Sequence, residues 1–123
     1  DIEQDGVESE EARITTEELK KEGFGILTEI DVKDTLRKKL DVDFKKYKIL
    51  GACNPSFAHE ALQAEDKIGV MLPCNVIVEE HEDGKVEVSA VNPVASMQAV
   101  SNNTLHPIAE EVKNNLEKVI NNL

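Results

Sequence analysis

Apolar residues recur along the chain at two spacings, every three to four positions and every two, and the changes between them divide it into elements. The last stretch is the clearest. Leu105, Ile108, Val112, Leu116, Val119 or Ile120, and Leu123 form a sustained stripe with Pro107 in the first turn, which predicts an amphipathic helix. Before it, Phe24 to Ile30 alternates as a strand, with Phe24, Ile26, Thr28 and Ile30 expected on one face. Asp31 can cap a helix carrying Val32, Leu36 and Leu40. Lys45 to Ala52 predicts a second strand, with Tyr47, Ile49 and Gly51 alternating against Lys46, Lys48 and Leu50. Asn54 and Pro55 then start a helix as N-cap and first residue, and Phe57, Ala58, Ala61, Leu62 and Ala64 give it a narrow face suited to close packing.

Met71 to Glu80 and Lys85 to Val91 predict a third and a fourth strand, joined at Asp83-Gly84 as a two-residue hairpin. Val86, Val88 and Ala90 point inward there, while Lys85, Glu87 and Ser89 face water. Asn92-Pro93 breaks the strand, and Val94 to Val100 reads as a helical turn or two. Residues 1–22 form a polar N-terminal segment whose thin stripe of Ala12, Thr15 or Thr16, and Leu19 predicts a helix, with Gly23 as the residue that ends it. Its first few residues are expected to fray. Residues 23–123 make a single domain. The order predicts an α+β fold, a mostly antiparallel sheet with helices packed on one face.

Charge narrows the range of partners. The 123 residues hold 14 Lys+Arg against 25 Asp+Glu, a net charge of -11. That charge repels phosphate backbones and anionic lipid, so sequence-independent binding to nucleic acid or membrane is excluded. The cations concentrate between Lys33 and Lys48, where Lys33, Arg37, Lys38, Lys39, Lys45, Lys46 and Lys48 outnumber Asp34, Asp41 and Asp43. A solvated helix face and loop is the ordinary reading of that run. The functional reading is a site for a small anionic ligand, with Lys46 and Lys48 as candidate contacts. No apolar run approaches the ~18 residues of a membrane span. Two cysteines make no disulfide framework, so a reducing cytoplasm is the default location.

Cys53 and Cys74 are the sharpest chemical features. Cys53 precedes the Asn54-Pro55 helix start, where unpaired N–H groups can favour a thiolate, and His59 lies about one turn into that helix. Cys74 follows Pro73 at a strand edge, with Asn75 mirroring Asn54. These residues predict either a reactive thiol with His59 as base and an Asn54 or Asn75 amide as oxyanion donor, or two small hydrophobes at strand ends beside capping asparagines. The second reading ranks ahead. Cys53, Cys74 and His59 match no standard zinc spacing. His81, in the acidic hairpin turn, and His106 read as exposed, so neither a metal site nor a cofactor is assigned.

Several segments together resemble a known family: Gly23-Phe24-Gly25-Ile26-Leu27-Thr28-Glu29-Ile30-Asp31-Val32, Tyr47-Lys48-Ile49-Leu50-Gly51-Ala52-Cys53-Asn54-Pro55, Ala58-His59-Glu60-Ala61-Leu62, Leu72-Pro73-Cys74-Asn75-Val76 and Val88-Ser89-Ala90-Val91-Asn92-Pro93. They are similar to the domain of unknown function 302 family, in order and over residues 23 to 123. The resemblance implies a small α+β fold of the TATA-binding-protein-like shape class, and it implies no activity. Members of that family usually begin with a strand ahead of the first helix, whereas Asp1 to Val7 makes a poor strand. That strand is either missing or replaced by irregular structure, and if it is missing, the sheet edge left open favours strand pairing between protomers. With no catalytic motif and an apolar terminal helix, the expectation is a non-catalytic binding or interaction module forming a homodimer. The alternative is a thiol-dependent enzyme or a redox or sulfur-handling protein using Cys53 with His59 and Cys74.

Overall fold

Four antiparallel strands in the order β1-β2-β3-β4 carry the molecule. The computed structural model describes the backbone of residues 2–123 and the side chains of residues 10–123. Helix α1 (Ile2–Lys21) leads to β1 (Gly25–Asp31), α2 (Val32–Leu40) and β2 (Tyr47–Cys53). Next come α3 (Pro55–Ala64), a 3-10 turn over Asp66–Met71, β3 (Cys74–Glu80) and β4 (Val86–Ala90). The chain closes with α4 (Pro93–Ser96) and α5 (Leu105–Asn121). The fold is α+β. No strand precedes α1 among the described residues, and the stretch read as a poor strand is helical from Ile2. The fraying expected of the first residues concerns side chains, and Asp1 altogether, that lie outside the described ones.

The core forms where α1 and α5 cover β2 and β3. Leu19 of α1 and Val112, Leu116 and Val119 of α5 pack with Phe24, Leu50, Ala52, Cys74, Val76 and Val78. Burying each large aliphatic side chain of this set contributes about 1.5–3 kcal/mol. The thin stripe of α1 is thus part of the core, with Ala12, Thr15 and Leu19 all buried. Thr15 satisfies its hydroxyl by donating to the Glu11 carbonyl at 2.8 Å. Gly23, at φ 85°, ends the helix: its N–H donates to Lys20 O and the Phe24 N–H to Leu19 O. That is a Schellman closure, and it lays Phe24 on Leu19.

One strand face differs from expectation. The β1–β2 register shifts between Ile26 and Thr28, a bulge that breaks the alternation within β1. Ile26 pairs with Ala52 and packs on the core, whereas Ile30 pairs with Ile49 and is 45% exposed. In β2, where the alternation left the buried face open, Leu50 and Ala52 pack on the core while Tyr47 and Ile49 are half-buried. Both faces of that strand carry apolar residues, so alternation alone does not say which one meets the helices. The third strand begins at Cys74 rather than Met71, because the 3-10 turn and Pro73, which has no N–H, precede it. The hairpin loop has three residues, not two. The His81 N–H donates to Lys85 O and the Gly84 N–H to His81 O, with Gly84 at φ 83°.

Candidate functional site

At one end of the sheet, β2 runs into α3 and the start of β3 lies alongside. Asn54 caps α3, its side-chain oxygen accepting from the Phe57 N–H at 3.4 Å, with Pro55 in the first turn. Ala52 pairs directly with Cys74, so the adjacent Cys53 is brought diagonally close to it. The approach is tight at Gly51, where a Cβ would collide with the Thr28 hydroxyl and come within 2.8 Å of Pro73. Gly23 lies as close to Asn54: a Cβ there would sit 2.8 Å from Nδ2. Two glycines therefore let β1, β2 and the Pro73 segment converge on Cys53.

Cys53, Asn54 and Cys74 line one small cavity of about 30 Å³, with Phe24, Phe57, Met97 and Ile108 among its apolar walls. That space holds a group of about water size, far below the ~300 Å³ at which ligand pockets begin. Burial pushes the Cys53 thiol above its ordinary pKa. Burial, then the neighbouring Cys53, pushes Cys74 up as well. Both cysteines are free. His59 is exposed on α3 and does not line this cavity. Asn75 is also exposed, paired across from Gly51, with its carbonyl accepting from the Val91 N–H at 3.1 Å. The cavity thus gathers Cys53, Asn54 and Cys74 and leaves out His59 and Asn75.

The basic stretch is interleaved with carboxylates. Lys33 reaches Asp43 at 3.2 Å and Phe44 O at 2.7 Å, Lys38 reaches Asp34 at 3.0 Å, and Lys48 reaches Glu29 at 3.1 Å. Lys46 is buried and lines an open depression with Lys33, Lys45, Glu80, His81 and Glu82.

The far edge of the sheet is open. Among the described residues β4 pairs only with β3. Asn75 pairs with Val91 and His81 with Lys85 through backbone bonds, so by antiparallel alternation Val86, Val88 and Ala90 turn their N–H and C=O groups outward. Beside this edge runs a groove of about 320 Å³ against α5, lined by Val88, Ala90 and Val91 on one side and by Ile120 with the charged Lys113 and Glu117 on the other. The opposite edge, β1, is protected by its bulge and by exposed Glu29. No helix among the described residues is long and apolar enough to cross a membrane.

Comparison with known proteins bears on these features. The family described as "Domain of unknown function DUF302" matches residues 6–123. The chain belongs to the DUF302 family. A crystal structure of an uncharacterized conserved DUF302 protein from Bacillus stearothermophilus superposes with a TM-score of 0.85 at 28% identity, covering 92% of this chain and 88% of that one. No curated protein matches the chain. Neither the DUF302 description nor this neighbour names an activity.

One cluster of this DUF302 chain escaped the sequence reading. Glu79, His81 and Glu87 converge on the hairpin, with His81 Nε2 2.8 Å from Glu87 Oε1 and 3.4 Å from Glu79 Oε1. The signal was present in the Glu-x-His spacing at the end of β3. It needed the strand register, which sets Glu87 directly across from Glu79.

Proposed function

We propose that the protein is a non-catalytic binding module that works as a homodimer, joined edge to edge through β4 with α5 closing beside it. The observation that carries this reading is the open β4 edge, with a groove beside it that mixes Val88, Ala90 and Ile120 with Lys113 and Glu117. An exposed edge without bulge, proline or lysine is a template for another strand, and Val86–Ala90 has none of these, its single charge being Glu87. A two-fold axis at Val88 would set Val88 against its own copy and Glu87 against Ser89, so no like charges face each other. Ile120, beside this edge, would meet its counterpart across the same axis. Free thiols suit a cytoplasmic site of action for such a module.

The test is light scattering on the purified protein and two variants. Val88→Pro removes an outward N–H while leaving the β3 ladder intact, and Ile120→Glu charges the groove. The wild type is expected at twice the chain mass, and both variants at the chain mass with unchanged circular dichroism. A monomeric wild type at tens of micromolar overturns the reading.

A second reading rests on a different observation, the sharing of one cavity by Cys53 and Cys74. It is the thiol-dependent or redox reading, with His59 in support. The raised thiol pKa values weigh against it, because a thiol held protonated is a poor nucleophile. So does the exposed position of His59 away from the cavity. Cys53→Ser abolishing thiol reactivity in a folded protein that reacts rapidly at neutral pH would bring this reading to the front.

A further inference from the structure

The β3–β4 hairpin presents Glu79, His81 and Glu87 together. Val78 and Val88 turn toward the helices, so the directly paired Glu79 and Glu87 between them and their neighbours project from the opposite face. We propose that these three side chains bind a divalent first-row transition ion of the zinc type. The donor atoms of all three residues lie within 4.8 Å of one another. An ion about 2.0–2.2 Å from each nitrogen or oxygen ligand sits between donors separated by roughly 3–3.6 Å. The 3.4 Å from His81 Nε2 to Glu79 Oε1 falls in that range, and the 2.8 Å to Glu87 Oε1 needs only a small opening of two exposed side chains.

Charge argues independently for a cation. Two glutamates set directly opposite each other across a ladder repel, and the Glu79 side chain is only 13% exposed. Glu80 and Glu82 share the depression beside His81 and add negative potential there, against Lys33, Lys45 and Lys46, which line it too. Lys45 Nζ stands 3.8 Å from Glu79 Oε2, the oxygen not turned toward His81, and so leaves the convergent donors open. A nitrogen ligand with two carboxylates selects zinc-like ions over magnesium or calcium, which prefer oxygen alone. Three protein ligands leave further positions on the ion for water or for a partner's donor group.

The test is Zn²⁺ titration of the metal-free, isotope-labelled full chain followed by amide NMR. Saturable shifts confined to the 79–87 hairpin at one equivalent are expected, with no response to Mg²⁺. His81→Ala, an exposed change whose own spectrum reports its fold, should weaken binding by more than about tenfold. Shifts centred on Cys53 and Cys74, equal affinity in His81→Ala, or no saturable shift would each overturn the proposal.

Discussion

At Cys53 and Cys74 the packing that excludes water also penalises the charged form of each thiol. Alkylation of the folded protein at neutral pH should therefore be slow at both, with midpoints above the ordinary thiol range. Cys53, the more accessible, should react first. Peptide mass spectrometry at each cysteine across a pH series reads this, and a midpoint below that range contradicts it. The same burial has a stability consequence. A thiol with its folded pKa raised contributes stability that is present below the unfolded value and is lost as pH rises between the unfolded and folded values. Alkaline conditions should lower the denaturation midpoint, and Cys74→Ala should flatten that alkaline limb. Gly51 is the other decisive residue. Gly51→Ala puts a Cβ against Thr28 and Pro73 and should cost about 2 kcal/mol or more in urea unfolding. An unchanged midpoint would mean that the β1–β2 approach is looser than the structure has it.

Elements set by local rules could be read from the sequence, and elements set by distant contacts could not. The caps at Asp31 and Asn54, the glycine closure at Gly23 and the stripe of α5 each follow from residues a few positions apart. The faces of β1 and β2 follow instead from a bulge and from which side the helices cover, and neither leaves a mark in the alternation. The cavity needed strand register to join Cys53 with Cys74, and the Glu79–His81–Glu87 cluster needed it as well. His59 shows the opposite limit, because one turn of helix fixes a distance along α3 but not a direction toward the thiol. Two changes probe this scale. Asn54→Ala should cost about 1 kcal/mol through the lost cap. Leu116→Ala, which empties a core position on α5, should cost about 3 kcal/mol. Equal losses in thermal or urea denaturation would contradict the packing described here.

For the whole molecule, the governing quantities are a net charge of -11 and the β4 edge, which among the described residues pairs only with β3. Like-charged copies repel, and salt screens that repulsion over a Debye length of about 8 Å at physiological ionic strength. Association through β4 and α5 should consequently strengthen, not weaken, as salt is raised. That sign separates apolar and backbone pairing from an interface built on ion pairs. The most direct measurement is sedimentation velocity on the unmodified protein over a dilution series at two salt concentrations. A dimer that dissociates on dilution, and does so at lower protein concentration in the higher salt, is the expected result. A single monomeric boundary at every concentration would contradict the edge-paired dimer.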